Sequence, residues 1–424
     1  MRYFFILGSN PTLSLAELTA IFSQGRFFLI QKGIAILESD QTIKSDILKK
    51  IGGTIKFGLI NNELNSFTAK DILRSAAAFA VPKKHESKFN FGISFYGKTK
   101  INLKVLGMEF KKLLKQTGIS SRWVISREPT LSSVVVEQNK LTSGRGMEIV
   151  MIEFDKKLLL GKTLAVQPFK ELSFRDYGRP ARDDRSGLLP PKLAQIMINL
   201  AIKPPLTKGV GGILWPEDIT ILDPFCGSGT ILTEAALMDF KNIIGSDISD
   251  KALQDTKSNI AWIQSNFKLS TFNFKLFNSD ASRISKQIAP NSVDAIITEP
   301  YLGPQRGRIE IKKIKTELEK LYSDSLREFN KILKPGGRIV MIWPVFQMSL
   351  RSSFVIPAKA GIQNSMAETL RPDLNGFKII NPIPTNLQKN IFLKLTNRGT
   401  IIYGRHGQKI WREIVVLEKY ERIF

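Results

Sequence analysis

The segment Ile221-Leu222-Asp223-Pro224-Phe225-Cys226-Gly227-Ser228-Gly229-Thr230 joins an apolar run, a carboxylate and two closely spaced glycines. The apolar run reads as a strand, the glycines as a sharp bend, and the residues after them as the start of a helix. In open α/β sheets ligands sit beyond the carboxyl ends of the strands. Glycine lets the backbone approach a ligand where any Cβ would collide. One strand later, Gly245-Ser246-Asp247 brings a second carboxylate to a strand end. An acid at that position suits a ribose diol, which offers two hydroxyl donors. A dinucleotide or FAD site is the competing reading of this segment. Against it, Leu232 stands where a Gly-x-Gly-x-x-Gly fingerprint needs its third glycine.

The octet Asp223-Pro224-Phe225-Cys226-Gly227-Ser228-Gly229-Thr230 resembles motif I of class I S-adenosylmethionine methyltransferases, in the branch that modifies base amines. The resemblance implies that S-adenosylmethionine is the cofactor. It puts Gly227 and Gly229 under the methionine portion and Asp247 on the ribose, with Asp223, Phe225 and Ile248 as further cofactor-binding residues. It also implies that Asp280, in Asn278-Ser279-Asp280, accepts from the adenine amine; a strand-end turn or helix cap is the plainer role for that residue. Thr298-Glu299-Pro300-Tyr301 occupies the place of the Asp/Asn-Pro-Pro-Tyr tetrapeptide of amino-methyltransferases. An amine on an aromatic base is a poor nucleophile because its lone pair is delocalised into the ring. Acceptors aimed at its hydrogens favour the ammonium that develops during in-line transfer. Pro300 stiffens the loop, and Tyr301 can stack on an extruded base. The tetrapeptide departs from the family pattern: Glu replaces Asp or Asn, and one proline is missing. Either Glu299 or Thr298 fills the first place. Glu299 is favoured, since a carboxylate accepts both the hydrogen bond and, after transfer, the proton.

These residues need strands and helices to hold them. From about residue 192 the pattern alternates regularly, with helices at 192–202, 229–239, 250–263 and 311–333. Strands fall at 219–224, 242–248, 274–279, 293–298 and 337–343, then at 377–383 and 411–418. This is the signature of an open parallel sheet covered on both faces, with an antiparallel edge where the last strands lack helices between them. Residues 1–65 mix strands (3–7, 33–37) with a helix that Ser14 would cap, Glu17 standing three residues on. The glycine turn Ile51-Gly52-Gly53 leads into a further strand. Residues 66–168 read as an α+β module. It contains a helix at 69–80, a strand at 91–96, a basic helix at 103–116 and strands at 122–126 and 134–136, with 148–154 as a third.

Residues 169–191, rich in Arg, Asp, Gly and Pro, read as a linker. Within them, Phe174 to Asp183 and Gly187-Leu188-Leu189-Pro190-Pro191-Lys192 resemble the entry to the catalytic domain of THUMP-containing tRNA guanosine N2-methyltransferases. In that family the region of Pro190 borders the cofactor. Arg175, Arg179 and Arg182 suit phosphates or acidic partners equally well, and structural salt bridges with Asp176, Asp183 and Asp184 are the competing reading. Tyr403-Gly404-Arg405 and Trp411-Arg412-Glu413-Ile414 also recur there, as a hairpin and a last strand. The expected fold is therefore α/β: a Rossmann-like methyltransferase domain at 192–424, with a mostly parallel seven-stranded sheet, preceded by an α+β, THUMP-like RNA-binding module. Residues 352–365 fit neither pattern and resemble a translated genomic repeat inserted in a loop.

Composition limits the alternatives. Sixty-two Lys and Arg against thirty-eight Asp and Glu give a formal charge of +24, and a basic surface attracts polyanions. Lys98, Lys100, Lys104, Lys111, Lys112, Lys115 and Arg122 supply a basic face in the module. The single cysteine, Cys226, excludes an internal disulfide and a cysteine zinc cluster. The two histidines, His85 and His406, have no partners at a ligand or triad spacing, so metal and Ser-His-Asp chemistry are not expected. No apolar run of about 18 residues suggests a membrane span, and the cytoplasm is the expected compartment. The favoured function is methylation of a guanosine N2 amine in tRNA. The alternatives are adenine N6 methylation of DNA or ribosomal RNA, and a non-catalytic RNA-binding protein.

Overall fold

In the amino-terminal half, β1 (Arg2–Leu7), α1 (Pro11–Ile21), β2 (Arg26–Gln31), β3 (Ile34–Glu38) and β4 (Thr54–Leu64) come first. Next are α2 (Ala69–Ala80), β5 (Phe89–Tyr96), α3 (Leu103–Gln116), β6 (Ser121–Val124), α4 (Ser133–Gln138), β7 (Gly146–Phe154) and β8 (Lys157–Val166). The structure, a computed structural model, describes residues 1–80, 88–182, 188–202, 218–304, 310–347, 367–404, 408 and 410–420. The strands so far form one sheet in the order β2-β3-β1-β4-β8-β7-β5-β6. β4 pairs with β1 on one side and β8 on the other, so the sheet runs unbroken across residue 65.

Local chemistry explains where the sequence misleads. Helix α1 is capped by Asn10, whose side chain accepts from Leu13 N at 3.1 Å with Pro11 opening the helix, an N-cap and N1 pairing that both residues favour. Ser14 lies inside the helix, not at its cap, and its hydroxyl donates to the Asn10 carbonyl. Val134 to Val136, read as a strand for their β-branched side chains, lie in α4: Ser132 accepts from Val135 N, and Val136 is buried against Val124, Leu131 and Leu141. Strand β8 returns from β7 through Asp155 and Lys156, with φ of 47° and 60°. Such a hairpin turn normally carries glycine; here nothing in its composition announces it.

The carboxyl-terminal half opens with α5 (Phe169–Tyr177), in the segment expected as linker, and α6 (Pro191–Ala201). It continues with β9 (Thr220–Asp223), α7 (Thr230–Leu237), β10 (Asn242–Asp247), α8 (Asp250–Asn266), β11 (Asn273–Asn278), β12 (Val293–Thr298), α9 (Ile311–Ile332) and β13 (Leu333–Gln347). The short β14 (Ala367–Thr369), β15 (Phe377–Ile380) and β16 (Ile401–Tyr403) precede β17 (Ile410–Lys419). Seven strands run β11-β10-β9-β12-β13-β17-β15, with β14 and β16 off this path. Pairing is parallel from β11 to β13 and antiparallel around β17. The antiparallel edge is as expected, although 381–383 fall outside β15. Residues 352–365, Arg405 and the Asp183-Asp184 pair lie outside the described residues.

Helix α6, Pro-Lys-Leu-Ala-Gln-Ile-Met-Ile-Asn-Leu-Ala, is buried at every position except Lys192. A helix that is apolar all round must be covered all round. It packs against β12 and β13 on one side and against α1 and α7 on others. One apolar core therefore continues from β1 and α1 into the second sheet. The seam is close: a Cβ on Gly52 would stand 2.0 Å from the Lys192 carbonyl oxygen. Buried Glu17 spans the seam, accepting from Gly52 N and Gly53 N at 2.8 Å and from Asn199 Nδ2 at 2.7 Å. Among the described residues no helix is long and apolar enough to cross a membrane.

Candidate active site

Four adjacent parallel strands, β11, β10, β9 and β12, end at one edge of the sheet. Their carboxyl ends carry Asp280 (two residues past β11), Asp247, Asp223 and Glu299. These residues border one cleft of about 720 Å³, together with Phe225, Gly227, Ile248, Pro300 and Tyr301. Nine of the eleven residues expected at the site are thus brought together. Gly229 and Pro190 do not line the cleft. Gly229 is the N-cap of α7 at φ +80°, and Pro190 caps α6, while its neighbours Leu188 and Leu189 border the cleft instead.

The bend after β9 is built from backbone. Gly227 has φ +51°, and a Cβ there would meet no protein atom within 4 Å, since it would stand in open space. A Cβ on Gly229 would stand 2.9 Å from Thr256. Two α8 side chains that sequence reasoning missed hold the bend: Thr256 Oγ1 donates to the Gly227 carbonyl at 2.8 Å, and Asn259 Nδ2 to the Ser228 carbonyl at 2.7 Å. Asp247 Oδ2 accepts from Gly227 N at 2.9 Å, and Oδ1 from Ser249 N at 3.0 Å. Ile248, next to it, is 71% exposed, an open apolar surface beside polar strand ends. Asp280 caps a short 3-10 turn, Oδ1 accepting from the Ser282 amide and hydroxyl. The helix-cap role is therefore real, and it engages one of the two oxygens.

The loop after β12 is fixed at three points. Thr298, fully buried, donates from Oγ1 to Asp223 Oδ1 at 2.7 Å. Glu299 Oε1 accepts from Arg412 Nε of β17 at 2.5 Å. The Tyr301 carbonyl accepts from the buried Tyr322 hydroxyl at 2.8 Å. Glu299, not Thr298, borders the cleft, and Tyr301 stands 59% exposed at its mouth. Burial lifts Asp223 to about 7, against the pull of the Thr298 hydroxyl. Burial likewise holds the Glu299 carboxyl above its ordinary range, with Arg412 opposing. The Cys226 thiol, desolvated and near Asp223, is pushed up as well, which makes it a poor nucleophile.

The arginines of the expected linker divide. Arg175 is buried in a forked ion pair with Glu234 of α7, at 2.7 and 3.1 Å. Arg179, also buried, donates to Thr230 Oγ1 at 2.5 Å. Neither is open to a phosphate, which corrects that expectation; both fasten the segment to the helix that follows the glycine bend. Arg182 lies over the Tyr177 ring at 5.2 Å. Among the described residues no cluster of His, Cys, Asp and Glu could hold a metal.

Residues 181–350 match the family described as RMKL-like, methyltransferase domain. Over 158 residues the chain is 32% identical to the tRNA (guanine(10)-N2)-dimethyltransferase of Methanothermobacter thermautotrophicus, covering 37% of this chain and 39% of that one. It is 35% identical over 150 residues to the "Probable tRNA (guanine(10)-N2)-dimethyltransferase" of Methanothermococcus thermolithotrophicus, covering 35% of this chain and 77% of that protein. The crystal structure of TrmN from Thermus thermophilus aligns over 99% of this chain and all of its own, at 20% identity and a TM-score of 0.49.

Proposed function

The chain belongs to the family of tRNA guanine-N2-methyltransferases, and from that membership we propose that it methylates the exocyclic N2 amine of a guanosine in tRNA, using S-adenosylmethionine. The observation that carries this reading is the single cleft bordered both by the glycine bend and by the Glu299-Pro300-Tyr301 loop. A donor lying on the first stands beside an acceptor base held by the second.

The residues present fit the donor. Gly227 leaves open space where a side chain would intrude. Asp247 has lone pairs left for two ribose hydroxyls beyond its two backbone donors, Ile248 offers an apolar face to a purine, and Asp280 Oδ2 is available to an exocyclic amine. When bound, S-adenosylmethionine supplies a methyl carbon on a sulfonium, and the carbon–sulfur bonding pair leaves with sulfur.

The chain's own residues act on the acceptor. Tyr301 supplies a ring for an extruded base to stack on. The Tyr301 carbonyl is engaged by Tyr322, so the carbonyls of Glu299 and Pro300 remain as backbone acceptors toward the amine. Glu299 accepts from the amine, stabilises positive charge as the nitrogen–carbon bond forms, and takes the proton the nitrogen releases. The amino-terminal module, with Lys98, Lys100, Lys104, Lys111, Lys112, Lys115 and Arg122 all exposed, acts as a THUMP-like RNA-holding unit. Its contacts are to phosphate, which fixes register without reading sequence. The division proposed is 1–65 and 66–168 for this half, 169–191 as the connection and 192–424 for catalysis, in a cytoplasmic enzyme.

The test is incubation of the full chain with methyl-labelled S-adenosylmethionine and bulk tRNA, digestion to nucleosides, and mass spectrometry. Label in N2-methylguanosine is the expected result. Label in N6-methyladenosine, or none in any nucleoside, rejects the proposal.

A further inference from the structure

Arg412 is the only side chain of β17 with an ion pair to the cleft among the described residues, and it reaches Glu299 from behind. In the sheet, Met341 of β13 pairs with Thr298 on one side and Val415 on the other, and Pro344 pairs with Arg412. Arg412 therefore stands beyond the level at which β12 ends, one strand removed, where its long side chain spans back to Glu299. Both partners are nearly enclosed, at 12% and 14% side-chain exposure. Glu299 lines the cleft, whereas Arg412 does not. Among the described residues the guanidinium engages Oε1 alone, and Oε2 accepts no hydrogen bond.

We infer that Arg412 is a positioning residue that clasps Glu299 through Oε1 and so presents Oε2 as the side-chain acceptor toward the substrate amine. The inference rests on the methyl-transfer reading of the same cleft. Three features support it. An Arg–carboxylate contact is directional, because the guanidinium is a planar fork that stays charged at all accessible pH values. The contact fixes a side chain one methylene longer than the Asp or Asn of the related tetrapeptide, and so removes the freedom the extra bond introduces. Among the described residues it also sets a cation against a carboxylate that otherwise has acids and phenols around it: Asp223 from β9, Tyr322 from α9, and Tyr301 in its own loop. Tyr403 of β16 pairs with Arg412 on the far side.

The proton balance follows. The nitrogen lone pair bonds the methyl carbon, the carbon–sulfur pair goes to sulfur, and the surplus proton moves from nitrogen to Oε2 and then to water. An Oε2 already protonated can do neither task. Burial raises Glu299, and Arg412 is what opposes that. Removing the cation therefore raises the carboxyl further and moves the acid limb of the kcat profile to higher pH.

The experiment compares wild type, Arg412→Gln and Arg412→Lys as full-length chains, measuring kcat against pH on tRNA, cofactor affinity by calorimetry, and thermal midpoint. Arg412→Gln is expected to lower kcat at neutral pH about 100-fold, to shift the acid limb up by about one pH unit or more, and to bind S-adenosylmethionine within about twofold of wild type. Arg412→Lys, which keeps the charge without the fork, is expected to keep the limb near its wild-type position and lose about tenfold in kcat. An unshifted limb in Arg412→Gln overturns the inference, as does a kcat loss that tracks lost cofactor binding in both variants. If Arg412→Gln does not fold, Arg412→Lys decides alone, and full turnover in it overturns the clasp. Failure of wild type to methylate guanosine is a different result, which removes the underlying reading instead.

Discussion

Asp247 and Ile248 are neighbours with opposite chemistry, and their separate substitution distinguishes two ways of holding an adenosine. Asp247→Ala removes the acceptor proposed for the two ribose hydroxyls, so cofactor affinity should fall about 10-fold to 100-fold. Ile248→Ser removes apolar contact only, and affinity should fall by roughly tenfold. Because Ile248 is already exposed, the thermal midpoint of Ile248→Ser should stay within about a degree. Calorimetric titration with S-adenosylmethionine checks both, and unchanged affinity in either would return that residue to a purely structural role. Glu299→Ala should bind cofactor normally and lose about 100-fold or more in kcat. Full turnover in single-turnover methylation assays would remove Glu299 from the chemistry. Most of these residues were legible because glycines, acids and Pro-Tyr at strand ends are chemically unusual. Arg412 was not: it lies more than a hundred residues from its partner, in a strand whose pattern carries only the message of a strand. Thr256 and Asn259 were hidden for the same reason, as polar residues on a helix that also has a wet face.

At the scale of elements, the seam between α1, the Gly52-Gly53 turn and α6 makes two predictions. Gly52→Ala sets a methyl against the Lys192 carbonyl, where neither backbone can yield. The cost should be about 1–3 kcal/mol or more, read as a lower denaturant midpoint. The second concerns Glu17, which burial lifts from 4.5 to about 7 despite three donors. The folded chain then retains this proton at pH values where the unfolded chain has lost it. Stability from the protonated form is complete below about 4.5 and is lost as pH rises to about 7, a change of roughly 3 kcal/mol. Glu17→Gln should flatten that part of the stability–pH curve, and an unchanged slope would assign it to other groups. The sequence announced the regular α/β alternation well, since continuous apolar strands and amphipathic helices differ in period. It announced α4 and β8 poorly. Three valines in a row favour a strand until Ser132 caps them into a helix, and Asp155-Lys156 turns a hairpin without the glycine that marks most such turns.

Taken whole, the molecule carries a formal charge of +24, and the exposed side of α3 is lined with lysines. If RNA is held there, binding should weaken steeply with salt, in proportion to the phosphates neutralised. The triple change Lys104→Glu, Lys111→Glu, Lys115→Glu should lower tRNA affinity at least about tenfold and flatten the salt slope, while S-adenosylmethionine binding is untouched. Filter-binding titrations at several salt concentrations measure both, and an unaltered slope would move the RNA to another face. The shared core has a practical corollary. Composition invites a cut near residue 190, where Arg, Gly and Pro accumulate. Either product of that cut would be left with an oily scar: the front piece would bare the flank of α1, the back piece the flank of α6. Neither half should survive amputation as a soluble protein, and the two halves produced together should re-form a tight, non-covalent pair.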